Sequence, residues 1–204
     1  MSDLQTQFPT TPSFQSVNFK INTPTLTSET FSGKLRRVGQ GVSYYSWEVQ
    51  YPNLAPLDAG TVIGYVSQCL GPQFSFRIVL PEISFTKLTD QTTNIPVVST
   101  SAAIGAIQVT LNGCGANAKV LAAGDFFKFN NHSKVYMCVS PVTANSSGAA
   151  TLFFTSPSVQ AIPQGTQVTI TNVPFTAVLD EDVQEFDVGF GGITSLSLSM
   201  REVW

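Results

Sequence analysis

Alternation of apolar and polar residues predicts β-strands near both ends of the chain. Residues 17–21 alternate with the two-residue period of a strand, and a second strand region places Tyr45, Trp47 and Val49 on one face. Residues 195–200 alternate in the same way. We expect this last segment to return to the sheet formed by the first strands and to close it.

Between these strands, the spacing of apolar residues changes to that of a helix. A helix over residues 58–70 is predicted, with Asp58 as its cap and Gly71-Pro72 as its stop. Residues 74–80 then form another strand, so the first part of the chain is predicted to be a sheet with one helix across a face. The apolar residues that recur at three- and four-residue spacing are Ala59, Val62, Ile63, Val66, Cys69 and Leu70.

The second half of the chain has short apolar segments separated by turn residues at regular intervals. This pattern is typical of a small β-sandwich or barrel. One hairpin is predicted around the loop Asn130-Asn131-His132-Ser133, and the turn Asn145-Ser146-Ser147-Gly148 precedes another strand. The predicted strands are residues 126–129, 135–139, 151–154, 168–170 and 175–179.

These patterns predict a mainly β protein with minor helical content and two modules. Residues 17–87 together with 179–204 are expected to form the first, which contains the sheet and the helix. Residues 104–178 are expected to form an inserted β module, joined through a polar linker at 86–103. Residues 1–16 are rich in Thr, Ser, Gln and Pro and are predicted to be an extended arm.

Composition favours a subunit of an assembly. Charged residues make up 11% of the chain, whereas soluble proteins contain about 25%. Ser, Thr, Asn, Gln and Gly take their places, and such side chains cost less to bury at an interface than ions do. A secreted or halotolerant β domain is the alternative explanation.

Charge and hydropathy indicate where the chain acts. Residues 1–87 carry six basic and five acidic side chains, and residues 88–204 carry four and eight. Neither part has the basic excess of a nucleic-acid-binding protein. The first residues lack the pattern of a signal peptide and no segment has the length of a membrane helix. We therefore expect synthesis in the cytoplasm, no membrane insertion, and reduced thiols at Cys69, Cys114 and Cys138.

Residues suited to catalysis are scarce. His132 is the single histidine, it falls in a predicted loop, and no nucleophile has a recognisable context. A calcium site and the carboxylate pair of a glycosidase are two functional interpretations of the acidic residues near the end of the chain. These residues are the run Asp180-Glu181-Asp182, with Glu185 and Asp187 nearby. Because the three acids are consecutive, we interpret the run as a solvated loop. The prediction is a protein without enzymatic activity, metal or cofactor.

Five residues are candidates for contacts between subunits. Lys34 and Arg36 are predicted to share one strand face and Arg37 the other. This basic group favours a subunit contact over nucleic-acid binding. Phe8 and Phe14 are the large apolar residues of the predicted arm. We expect the arm to lie on a neighbouring subunit or a partner protein, with both rings in pockets.

Several segments resemble one family. A Trp-containing strand ends at Trp47-Glu48-Val49-Gln50-Tyr51-Pro52, a helix follows, and an aromatic strand runs from Gly71-Pro72 to Pro81. The second half adds Ala123-Gly124-Asp125-Phe126-Phe127 and the residues from His132 to Pro157. Together these resemble the distal tail and minor tail proteins of tailed bacteriophages, including the β module that such proteins insert between sheet strands.

The resemblance implies a structural role in the virion tail. It implies a ring-forming adaptor, usually hexameric, that joins the tail tube to the tail tip or baseplate and contacts other tail proteins. The family has no catalytic residues to transfer to this chain. A receptor- or carbohydrate-binding virion module is the alternative, and it would present exposed aromatic side chains on loops.

Overall fold

A computed structural model describes residues 3–39 and 41–204, and for residues 3–6 it describes the backbone alone. Its elements, in chain order, are β1 (Asp3–Gln7), β2 (Ser16–Asn22), β3 (Thr25–Glu29), β4 (Leu35–Gly39), β5 (Tyr44–Gln50), α1 (Pro56–Cys69), a 3-10 helix (Gly71–Gln73), β6 (Ser75–Ile78), β7 (Val97–Val98), β8 (Gln108–Asn112), β9 (Lys119–Leu121), β10 (Phe126–Phe129), β11 (Val135–Met137), β12 (Val142–Thr143), β13 (Ala150–Phe153), β14 (Val168–Thr169), β15 (Phe175–Leu179), β16 (Phe186–Val188), a 3-10 helix (Phe190–Gly192) and β17 (Thr194–Glu202). The predicted mainly β fold is confirmed.

The chain divides into two compact units. The first contains residues 1–21, 44–80 and 174–204, and the second contains residues 22–43 and 81–173. The predicted linker at residues 86–103 therefore lies inside the second unit and does not connect two modules. Val98, in the middle of that predicted linker, is buried and pairs with Leu111. The linker prediction is wrong because a two-residue strand is too short to give an alternating pattern.

The first unit is a sheet with the strand order β1-β6-β15-β17-β5-β2, and β16 adds to β17. The last strand returns to this sheet as predicted, but it lies inside the sheet, between β15 and β5. Tyr45, Trp47 and Val49 are all buried on one face, which confirms the predicted alternation of β5. Phe175 packs against Tyr45 and Trp47 with ring centroids 6.0 and 5.3 Å apart.

The boundary predicted after residue 178 is also misplaced. β15 belongs to the first sheet, where it pairs with β6 and β17. Four of its five residues are buried. A strand that is apolar on both faces has no alternation to show which sheet it joins.

The helix α1 is confirmed, with a different start. Pro56 opens it and Ala55 is its cap residue, without a side-chain hydrogen bond. Asp58 lies in the first turn, where its charge complements the helix dipole, so its predicted role as cap is wrong. Leu70 ends the helix in the left-handed conformation. The buried face consists of Ala59, Val62, Val66 and Cys69.

The second unit contains a small closed barrel. The ladders β7-β8-β13 and β11-β10-β14 are joined by two single bridges, Cys138 to Phe154 and Val97 to Gln167. These bridges complete a circuit of six strands. Phe127, Phe129, Tyr136 and Phe154 fill its core with ring centroids 5.1–5.9 Å apart.

Cys69, Cys114 and Cys138 are free and buried, as expected. Burial raises the pKa of the Cys69 thiol to about 11, and it raises the pKa of Cys114 and Cys138 as well. A thiol with a raised pKa is a poor nucleophile at neutral pH, because the thiolate is the reactive form. Among the described residues, no helix has the length and apolar character needed to cross a membrane.

Candidate assembly surface

The strands β3 and β4 form a hairpin that is exposed on both faces. Every residue of both strands is exposed, and the strands pair in register from Thr25 opposite Gly39 to Glu29 opposite Leu35. A two-stranded hairpin with no covered face is marginally stable in water. Its backbone edges and its side chains are available to another chain. This hairpin is the main candidate surface for assembly.

The basic residues named from the sequence lie on this hairpin. Arg36 pairs with Ser28, and Arg37 pairs with Thr27. Because successive residues of a strand point to opposite faces, the two arginines lie on opposite faces of the hairpin. The face that carries Arg36 also carries the pair Leu26 and Val38, both of which are more than half exposed. Lys34 precedes β4 at the tip. The hairpin thus combines cations with apolar side chains, a mixture suited to a protein interface.

The tip of the hairpin is an ordered turn that presents Phe31. The backbone N–H of Gly33 donates to the carbonyl of Thr30 at 2.8 Å, and the N–H of Lys34 donates to the Thr30 hydroxyl at 3.1 Å. Gly33 has a φ of +76°, which favours glycine. Phe31 is fully exposed. The alternation of apolar and polar residues does not single out Phe31, and the signal that marks it is a lone phenylalanine within the turn sequence Thr-Phe-Ser-Gly.

Phe8 and Phe14 occupy a different environment from the one predicted. Phe8 is 2% exposed, and its ring centroid lies 5.3 Å from that of Phe76 and 5.1 Å from that of Tyr65. Phe14 is half-buried and contacts Tyr51 at 5.2 Å. Both rings therefore pack within their own unit, and the expectation that they dock on a neighbour is not met.

The predicted arm is wrong for the same reason. β1 pairs in parallel with β6, and the N–H of Phe8 donates to the carbonyl of Arg77 at 2.7 Å. The N–H of Gln15 donates to the carbonyl of Gln50 at 2.8 Å. The described part of residues 1–16 is thus joined to the first sheet by backbone hydrogen bonds. Its polar composition concealed this because backbone pairing does not depend on apolar side chains.

The acidic run is an exposed loop. Asp180, Glu181, Asp182, Glu185 and Asp187 are all exposed. Arg201 lies 3.6 Å from Asp180 and forms an ion pair with it. Among the residues that the structure describes, no group of three or more His, Cys, Asp or Glu side chains is arranged to hold a metal ion.

His132 lies in the loop between β10 and β11, as predicted, but its ring is partly buried and bonded. Nδ1 lies 2.9 Å from Asn131 Oδ1, and Nε2 lies 2.8 Å from the Tyr136 hydroxyl. Because the amide oxygen only accepts, Nδ1 carries the proton and the hydroxyl donates to Nε2. The hydroxyl also accepts from the N–H of Val159 at 3.1 Å. The neutral imidazole of His132 therefore connects its loop, through the Tyr136 hydroxyl, to the segment that contains Val159.

This arrangement makes the stability of the second unit depend on pH. Burial, followed by the charges of Lys128 and Lys134, lowers the pKa of His132 to about 4 from its ordinary value of 6.5. As the pH falls, His132 is therefore protonated in the unfolded chain at a higher pH than in the folded chain. Stability is fully present above pH 6.5 and declines as the pH falls towards 4, by about 1–2 kcal/mol after allowance for solvent around a partly buried ring.

Titration by NMR checks this directly, because the chain has a single histidine. The folded protein should titrate with a midpoint near 4. The variant His132→Gln should lose the decline in stability between pH 6.5 and pH 5, where few carboxylates titrate. A midpoint near 6.5 in the folded protein would contradict the hydrogen-bonded arrangement.

Comparison with known proteins gives one distant relative among phage tail proteins. It is the distal tail protein pb9 of Escherichia phage T5, which is 26% identical to this chain over 123 residues. The aligned region is 60% of this chain and 59% of the relative, so the chain spans about three fifths of that protein's length. No family model matches the chain.

Proposed function

We propose that this chain is a structural subunit of a bacteriophage tail. The distant similarity to a phage distal tail protein supports a structural role in the tail and a location in the virion. The low content of charged residues, 11%, is in keeping with a chain whose surface is covered by other subunits. The proposed partners of this chain are other tail proteins.

The finer proposal is a ring-forming adaptor between the tail tube and the tail tip or baseplate. The observation that carries it is the hairpin of β3 and β4, which is exposed on both faces. A surface that projects from one copy and differs from the surface that receives it makes a heterologous contact. Such contacts close into a ring when the rotation between copies allows it. Six copies are the number that the resemblance implies.

Light scattering on the purified full chain tests this proposal. A hexamer of 21.9 kDa chains has a mass of about 131 kDa. We expect a particle of this mass for the natural chain, and we expect the monomer when Thr25–Gly39 is replaced by a short Gly-Ser linker. The linker variant should keep the buried environment of Trp47, whose fluorescence reports on the first unit. An unchanged mass after this replacement would show that the hairpin does not hold the copies together.

Absence of enzymatic activity is part of the same proposal. Both ring nitrogens of His132 are engaged in hydrogen bonds to Asn131 and Tyr136, and these bonds are consistent with a structural role for this side chain. The variant His132→Ala should assemble like the natural chain. A hydrolytic or transferase activity that the natural chain possesses and this variant lacks would refute the proposal.

A receptor- or carbohydrate-binding module is the second candidate function. It is favoured by Phe31 and Phe190, two fully exposed aromatic side chains outside the strands. Exposed aromatic side chains outside the strands are what such a module is expected to present. Binding of the full chain to a glycan array, lost in the double variant Phe31→Ala/Phe190→Ala, would support this function. An array without a signal would exclude it for the glycans presented.

A further inference from the structure

The first unit carries a narrow apolar groove that its own residues leave open. The groove lies between α1 and the loop that contains Asp182, and its volume is about 190 Å³. Ligand pockets usually measure about 300–1,000 Å³, so this groove matches one side chain better than a small molecule. Its apolar lining consists of Ile63, Val66, Leu70, Phe186 and Leu196, and Asp182 is its charged residue.

Two features define the groove, an exposed apolar residue at the end of α1 and a wall formed by the acidic loop. Leu70, the residue at which α1 ends, lines the groove and remains 60% exposed. The acidic loop runs close to the end of the helix at Gly71, where an added Cβ would lie 3.3 Å from the Cα of Asp182. Gly71 also has a φ of +63°. The wall formed by Asp182 therefore depends on a glycine at this position.

The tip of the hairpin offers a side chain of the right kind. Phe31 is fully exposed, and the hydrogen-bonded turn from Thr30 to Gly33 already holds the backbone that carries it. The turn limits the backbone freedom at Phe31, so burial costs mainly the rotamer freedom of its side chain. Removing a phenylalanine side chain from water is the favourable contribution to this contact.

The two surfaces also have opposite charges. Residues 25–39 contain three basic side chains and one acidic side chain, for a net charge of +2. Residues 180–187 contain five acidic side chains and no basic ones. Lys34 closes the same turn three residues after Phe31, so its positive charge belongs to the tip that presents the ring. Complementary charges of this kind orient partners as they meet.

We infer that Phe31 of one copy docks into this groove on the next copy, with Lys34 facing Asp182. The inference rests on the proposed function, because it names the contact that builds the ring. The hairpin and the groove are different surfaces, so each copy gives one and receives one. Repetition of this head-to-tail contact generates a closed ring when the rotation between copies allows closure.

Disulfide trapping between two single variants tests the contact. Chains with Ser32→Cys are mixed with chains with Ser67→Cys. Ser32 is exposed beside Phe31 and its replacement keeps the ring in place, and Ser67 is an exposed residue that lines the groove. Mild oxidation should give a linked dimer in the mixture and little in either variant alone. The three natural thiols are buried, so the natural chain serves as a blank.

Phe190 provides the matched control. Its relative exposure is 102% against 113% for Phe31, so a mixture of Phe190→Cys and Ser67→Cys measures random collision. A second set of variants keeps the test independent of thiol chemistry. Ser67→Trp should fill the groove and abolish assembly. Lys34→Glu and Asp182→Lys should each weaken it at least tenfold, and together they should restore it.

The outcomes separate this contact from the proposed function. Trapping of the Ser32→Cys variant without a closed ring supports the contact and refutes the ring. A ring that forms without trapping, or that tolerates Ser67→Trp, refutes the contact and leaves the ring. Equal trapping of the Phe190→Cys variant refutes the contact as well. If neither ring nor trapping is found, both proposals fail.

Discussion

Replacing Phe8 with alanine should destabilise the first unit by about 3–4 kcal/mol. Phe8 is 2% exposed and contacts Phe76 and Tyr65, so the truncation leaves a cavity in the core. The effect is large for a residue so near the start of the chain. Urea unfolding followed by tryptophan fluorescence measures it, because both tryptophans, Trp47 and Trp204, belong to the first unit.

Phe31→Ala is the matched control for this experiment. Phe31 is fully exposed, so the same substitution should leave the free energy of unfolding unchanged while it weakens assembly. Measurements below the concentration at which copies associate keep the two effects apart. If Phe8→Ala is as harmless as Phe31→Ala, then residues 3–14 are not part of the first unit's core.

Replacing Asp125 with alanine should destabilise the second unit by about 3–4 kcal/mol. Asp125 is completely buried. Its carboxylate accepts hydrogen bonds from the Thr86 hydroxyl at 2.6 Å, the Ala122 N–H at 2.8 Å and the Lys87 N–H at 3.0 Å. The Lys87 ammonium group lies 3.4 Å away. Alanine would leave the Ala122 and Lys87 donors without this acceptor.

Amide hydrogen exchange in β9 and β10 measures this loss, since neither tryptophan lies in the second unit. The control is Asp90→Ala, which removes an exposed carboxylate 2.8 Å from Lys119. That pair is surrounded by water, so its loss should change exchange little. Similar effects of the two substitutions would show that Asp125 does not anchor residues 86–87 to the barrel.

Periodicity identified most of the elements but not their partners. The helix and the alternating strands β5 and β17 were predictable because one face of each is buried. The places of β1 and β15 in the sheet were not. β1 pairs with a strand about seventy residues further along the chain, and β15 is apolar on both faces. Pairing over such distances leaves no local pattern in the sequence.

The sequence singled out three residues of the exposed hairpin, and their role in a subunit contact stays a prediction. The sequence indicated Lys34, Arg36 and Arg37 as residues of a subunit contact, and they lie on the exposed hairpin. Phe8 and Phe14 were assigned to an intermolecular contact because the residues around them are polar. The structure places both within their own unit. Exposure, which no pattern of residue types gives directly, is what singles out Phe31 in their place.

Electron microscopy of the purified full chain shows whether its copies close into a ring. We expect closed particles with sixfold rotational symmetry, in which density for the hairpin of one copy reaches α1 of the next. Particles of a single 21.9 kDa chain at every concentration, or open filaments without a closed form, would contradict it.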